Sequence, residues 1–145
     1  MDFFNSIQTS ASGLSAQRLR MNLISGNLAN VNTTRTLQGG PYRRKEAIFA
    51  AASMDSSFNK ILTDRLKDQF SGVRIDGIHE DQTAPLRNYN PSHPHADDDG
   101  FVSMPNIKPM EEMVNMISAS RGFEANVTAI KAAKEMALKA LEIGR

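Results

Sequence analysis

Residues 3–32 read FFNSIQTSASGLSAQRLRMNLISGNLANVN, and residues 110–142 read MEEMVNMISASRGFEANVTAIKAAKEMALKALE. In the first stretch Ile7, Leu14, Met21 and Leu28 recur every seven residues, flanked by Phe3, Phe4, Ala11, Ile24 and Val31. In the second the repeat is Met116, Phe123, Ile130 and Ala137, flanked by Met113, Ile117, Val127 and Leu141. A seven-residue apolar repeat keeps one narrow stripe turned toward a partner helix, as in the seam of a coiled coil. The fold expected is therefore mainly α: two long terminal helices paired as a coiled coil, with a small antiparallel β-rich middle segment. A helix over all of 110–142 would run about 50 Å, longer than a compact domain of this size is wide. Such ends point to assembly rather than to chemistry.

Local signals place the helix limits. The first helix is expected to stop near Asn30 to Asn32, where Asn-Val-Asn-Thr-Thr replaces helix formers with residues that bond to nearby backbone. Gly13 and Gly26 read as weak points, each costing about 1 kcal/mol against Ala, so this helix is expected to order only when packed. Pro109 suits the first turn of the second helix, and Glu111 and Glu112 suit its positive end. Gly122 is its one soft spot. The organisation that follows is an N-terminal helix over 1–35, a β-rich middle over 36–108 and a C-terminal helix over 109–145.

In the middle, Gly39-Gly40-Pro41 is a break. Residues 42–49 read as a strand with a charged first half. Phe58, Ile61, Leu62 and Leu66 fit one face of a short helix over 56–69. Residues 72–79 alternate Val73, Ile75 and Ile78 with polar side chains, the pattern of a half-buried strand. Residues 84–89 are expected to pair with it, and with 42–49 the three would form one antiparallel unit. Residues 90–109, rich in Pro, Asp and Asn, read as loop.

The 145 residues suit one ordinary domain, 40% apolar but without Trp. Eight Met residues include Met110, Met113 and Met116, which read as filling of a helix seam. A net charge of +1 supplies no field for nucleic acid. The absence of cysteine excludes a disulfide, a thiolate metal site and a Cys nucleophile. The first residues lack the basic start and unbroken apolar run of a cleavable secretory signal. No stretch approaches a membrane-spanning helix, so direct membrane insertion is not expected.

Candidate chemistry is sparse. His93, His95 and the run Asp97-Asp98-Asp99 are metal-ligand types, but their spacing matches no ligand pattern, and a solvated loop is the plainer reading. Arg43-Arg44-Lys45 reads as a solvated strand edge that resists stray pairing, or as a contact to an acidic neighbour. Glu111 and Glu112 are adjacent on a helix and point apart. No phosphate-cradling loop or nucleophile elbow is present. Neither a cofactor nor an enzymatic activity is expected. The helix stripes carry the stronger message. Pairing the two narrow seams leaves Phe3, Phe4, Ile24, Val31, Met110 and Leu138 incompletely covered, and each such side chain is worth about 1.5–3 kcal/mol when fully buried. That favours association into a polymer over a lone helical hairpin.

Four separated motifs carry a resemblance. Residues 10–18 (SASGLSAQR) and 27–34 (NLANVNTT) resemble the N-terminal signature of bacterial flagellar rod and hook proteins. Residues 113–126 (MVNMISASRGFEAN) resemble their matching C-terminal helix. Residues 39–45 (GGPYRRK), with 90–97 (NPSHPHAD) running through Gly100-Phe101-Val102 to Pro105-Asn106, narrow the resemblance to subunits of the proximal rod. The resemblance implies a non-enzymatic subunit of the basal-body rod that crosses the periplasm. It implies export through the flagellar type III apparatus, with Phe3 and Ile7 as the candidate export element. Copies of the chain and related rod subunits would be its partners, stacked around a channel into a drive shaft. The assembly seam would comprise Phe3, Phe4, Ile7, Leu14, Met21, Leu28, Met113, Met116, Phe123, Val127, Ile130 and Leu141. Tyr42, Arg43, Arg44, His93, Asp97 and Phe101 would form the subunit-contact loops. The alternatives are a helical-hairpin adaptor or export chaperone that does not polymerise, and a metal-dependent enzyme using His93, His95 and the Asp run.

Overall fold

The computed structural model describes residues 3–53 and 71–143. Helix α1 spans Phe3–Ala29, strand β1 Lys45–Ser53, β2 Ser71–Glu80, β3 Leu86–Tyr89 and β4 Phe101–Met104, and helix α2 spans Pro109–Ile143. The short helix expected over 56–69 lies outside the described residues.

Both long helices form where the seven-residue pattern places them. Asn30 closes α1: its backbone N–H and its Nδ2 both donate to the Gly26 carbonyl, at 3.1 and 2.9 Å, satisfying a helix end that would otherwise be unpaired. At the start of α2 the Glu112 N–H donates to the Lys108 carbonyl at 3.1 Å, with Pro109 in the first turn, where its missing N–H costs nothing.

The helices run antiparallel in one register. A Cβ built on Gly13 would lie 3.0 Å from Asn126 Nδ2, one on Gly122 would lie 3.3 Å from Gln17 Cδ, and Asn27 bonds to Glu112. From Gly13 to Gln17 to Asn27, each step along α1 is matched by an equal step back along α2, from Asn126 to Gly122 to Glu112. Gly13 and Gly122 are thus points of close approach, and the helix propensity they sacrifice is offset by packing that a larger residue would obstruct.

The strands make two separate two-stranded antiparallel sheets, β1 with β2 and β3 with β4. This corrects the expected single unit: residues 86–89 pair with 101–104, Tyr89 opposite Phe101 and Leu86 opposite Met104, and not with 72–79. The partner strand falls inside the stretch expected to be loop. Four residues are too short for alternation to reveal a strand, and a turn supplies the pairing. In that turn Asn90 N–H donates to Gly100 O and Gly100 N–H donates to Asp97 O. Gly100 sits at φ +78°, with the Tyr89 ring 3.0 Å from where its Cβ would be, so only glycine fits.

The β1–β2 ribbon lies along α1. Lys45 is bonded to Asn27 at one end. Near the other end Val73, paired with Ala51, donates its N–H to Ser12 Oγ at 3.0 Å. Fifteen residues of helix and six of strand both cover about 20 Å, so β1 runs back along α1 at matched pitch. A register shift between Ile48 and Phe49 bends the ribbon. After β2, Thr83 N–H donates to Asp81 Oδ1 at 2.9 Å, and this bond holds the Asp81 carboxyl below the usual carboxylate range. α1 is therefore the central element, with contacts to α2, β1 and β2.

Candidate functional site

The fully buried positions on the helices are small or polar except Ile24, which pairing of the two seams alone was expected to leave incompletely covered. They are Ala16, Ile24 and Asn27 on α1, and Glu112, Ala119 and Ala133 on α2. The expected seam lies to the side of this line. Ile7, Leu14, Met21 and Leu28 each follow by one residue a position on the line through 6, 13, 20 and 27, which rotates them by about 100° around the helix. They are half-buried, as are Phe3, Met116, Phe123, Val127 and Ile130, whereas Phe4, Met113 and Leu141 are exposed. Met110, Met113, Val114 and Ile117 make a bare apolar stripe on the first two turns of α2, with Met110 70% and Val114 64% exposed. Beside Gly122, Gln17 Oε1 is buried with no hydrogen-bond partner among the described residues.

Where α1, β1 and α2 meet, polar side chains converge. Asn27 and Glu112 are each only 1% exposed. Asn27 Oδ1 accepts from the Lys45 N–H at 2.9 Å, and its Nδ2 donates to the Lys45 carbonyl at 2.9 Å, so the amide meets one residue of β1 as a neighbouring strand would. The same Nδ2 donates to Glu112 Oε2 at 2.9 Å, and Tyr42 Oη donates to Asn27 Oδ1 at 3.2 Å. Arg44 Nε donates to Glu112 Oε1 at 2.8 Å, and its Nη1 reaches Glu46 at 3.1 Å. The buried carboxylate is thus paired and hydrogen-bonded, the condition for keeping a charge out of water. Burial pulls the Arg44 guanidinium down, but its bonds and charge contact with Glu112 and Glu46 outweigh it and raise it further above its ordinary value. Burial pushes the Tyr42 phenol up; the nearby Lys45 opposes this, while Glu80 and Glu112 add to it.

The loop residues fall into two groups. Tyr42 and Arg44 are engaged inside the chain, on Asn27 and Glu112, so the solvated-edge reading of Arg44 gives way to a contact with an acidic partner 68 residues away. Glu112, expected only to suit a helix end, is that partner. Arg43, bonded to Gln82, lies on the surface. His93 and His95 pack edge to face with ring centres 5.4 Å apart, and His95 Nδ1 meets Thr34 Oγ1 at 2.8 Å. Asp97 lies 3.8 Å from Arg87, whose guanidinium sits 4.8 Å over the Phe101 ring. Among the described residues no three His, Asp or Glu side chains converge as metal ligands, and no helix is long and apolar enough to cross a membrane.

Two family models match the chain. "Flagella basal body rod protein" matches residues 7–35, and "Flagellar basal body rod FlgEFG protein C-terminal" matches residues 98–143. The chain is 43% identical over 152 aligned residues to the flagellar basal-body rod protein FlgC of Bacillus subtilis (strain 168), spanning 100% of both. It is 44% identical to the protein of the same name from Borreliella burgdorferi, covering 99% of this chain and 98% of that one. The Salmonella typhimurium protein is 33% identical over 145 residues, again spanning 100% of both.

Proposed function

The chain belongs to the FlgC family of flagellar basal-body rod proteins, and on that premise we propose how it works as a structural, non-enzymatic subunit. It leaves the cytoplasm through the flagellar type III apparatus. In the proximal rod it stacks with copies of itself and with related rod subunits into a hollow shaft that carries torque. Its terminal helices line the inner layer as a coiled coil.

One observation carries this reading. Apart from the buried Ile24, the helix pair packs through small and polar residues, and its other large apolar side chains stay half-covered on the flanks or bare, as Phe4 is on α1 and Met110 and Val114 are on α2. Phe3, Ile7, Leu14, Met21 and Leu28 on α1, with Met113, Met116, Phe123, Val127, Ile130 and Leu141 on α2, keep apolar surface that adjoining helices would cover. Each completed side chain is worth up to about 1.5–3 kcal/mol. Contacts that join one face of a subunit to a different face of the next do not close on themselves and build a helical polymer. Arg43, His93 and Asp97 face neighbours from the outer loops and Phe101 from strand β4, while Tyr42 and Arg44 shape those loops from within.

Leu14→Asp and Val127→Asp test the proposal, because each puts a charge on a flank without touching the polar junction. Both chains should be synthesised yet missing from purified basal bodies, and the cells should not swim. Normal motility with either variant would contradict the assembly role, and wild-type chain that is absent from purified rods would favour a non-polymerising adaptor.

A further inference from the structure

We infer that the junction of Asn27, Glu112 and Arg44 selects the register of the helix pair, with Asn27 and Glu112 as its specificity-determining residues. The remainder of the interface discriminates poorly. Along the facing line stand Gly13, Gln17 and Ile24 on α1, and Ala119, Gly122 and Ala133 on α2. Sliding α2 by seven residues would set Ala119 or Ala133 against Gly13 and Asn115 or Ala129 against Gln17, so short side chains of α2 return to the points of close approach. Packing alone therefore separates the alternatives only weakly.

The junction separates them strongly. Within hydrogen-bond distance Glu112 meets Asn27 from α1 and Arg44 from the segment entering β1. Asn27 in turn holds both backbone groups of Lys45. A slip of seven residues carries Glu112 away from both partners and leaves the Asn27 Nδ2 with a single acceptor. A buried polar group that loses its partner is far more costly than the net gain of making the bond. One buried polar position that fixes the register of paired helices is a known device. Asn is the side chain this site demands, since Asp lacks the donor and Gln carries its amide one carbon further out. The register matters beyond the pair because it decides which flanking apolar residues of α1 and α2 lie side by side.

The full chain contains no cysteine, so introduced pairs report cleanly. Gly13→Cys with Asn126→Cys reads the native register; Ser6→Cys with Asn126→Cys and Arg20→Cys with Asn126→Cys read slips of seven residues in either direction. Each pair is equilibrated in a glutathione redox buffer, and the cross-linked fraction is read by gel mobility. In the otherwise unsubstituted chain the native pair should form at least about tenfold more disulfide than either slipped pair. Asn27→Ala or Glu112→Leu should bring that ratio toward one while helical circular dichroism persists. Should those variants lose their helices, Asn27→Asp combined with Glu112→Gln decides, because it restores a donor and an acceptor with their direction reversed. Recovery of the native preference supports register selection. Equal or absent cross-linking in the unsubstituted chain overturns it. An undiminished native preference in Asn27→Ala or Glu112→Leu overturns it too, and so does continued slippage or unfolding in the double variant.

Discussion

Asn27→Asp changes almost no volume and reverses one function of the side chain. Amide orientation is fixed by its surroundings: Oδ1 faces the Lys45 N–H and Tyr42 Oη, and Nδ2 faces the Lys45 carbonyl and Glu112 Oε2. An aspartate keeps the first two bonds and sets an oxygen against two oxygens. The loss at the Lys45 carbonyl is worth about 1 kcal/mol. At Glu112, two carboxylates 2.9 Å apart repel by about 6 kcal/mol at an effective dielectric constant of about 20. The repulsion has a ceiling, because the pair can take up one proton. At pH 7 that costs about 4 kcal/mol for a carboxyl titrating near pH 4, and the proton then bridges the two groups. The expected deficit at pH 7 is therefore about 4–5 kcal/mol, a large part of the stability of an ordinary domain. The sign with pH follows. A carboxyl whose folded pKa is raised recovers its stability as pH falls toward the unfolded value, so the deficit should shrink by about 1.4 kcal/mol per pH unit down to about pH 4. Urea titrations of the purified chain, followed by far-ultraviolet circular dichroism at pH 7 and pH 5, measure it. The midpoint should drop by about 2 M at pH 7 and by roughly half as much at pH 5. Adding Glu112→Gln should recover most of the loss, since its amide donates where Asn27 did; a double-mutant cycle isolates the coupling. A wild-type midpoint at pH 7, or a deficit independent of pH, would refute the reasoning.

Three further outcomes follow from the same geometry. Gly13→Leu should lower the urea midpoint by about 1–3 kcal/mol equivalent, because its Cβ alone already comes to 3.0 Å from Asn126; a stabilised variant would mean that the helices do not approach there. Gln17→Met should raise the melting temperature, since it removes a buried oxygen that has no partner among the described residues at a gain of about 1–2 kcal/mol, and a calorimetric scan reads it. Tyr42→Phe should cost about 1 kcal/mol at neutral pH and flatten the alkaline limb of the stability curve. The raised phenol stabilises the fold fully below its unfolded pKa of about 10, and that contribution disappears as pH rises through the folded value, a trend measurable by pH-dependent denaturation.

The residues themselves determined the two long helices, the limits of α2 and the β2 strand, because those features depend on neighbours within a turn or two. A seven-residue repeat, a proline in a first turn and a run of Val73, Ile75 and Ile78 among polar residues are local signals, and the resemblance across four motifs led to the same architecture. Gly13 and Gly122 were visible as breaks in helix propensity, but their purpose was not, because a close approach belongs to two segments at once. The pairing of β3 with β4 was hidden for a similar reason, each strand being too short to impose a period. Only the tertiary structure decided that Glu112, on a helix end with nothing local to mark it as special, is buried against Asn27 and Arg44, 85 and 68 residues away. Periodicity is a property of a segment, whereas the partner of a buried charge is settled only when the whole chain has come together.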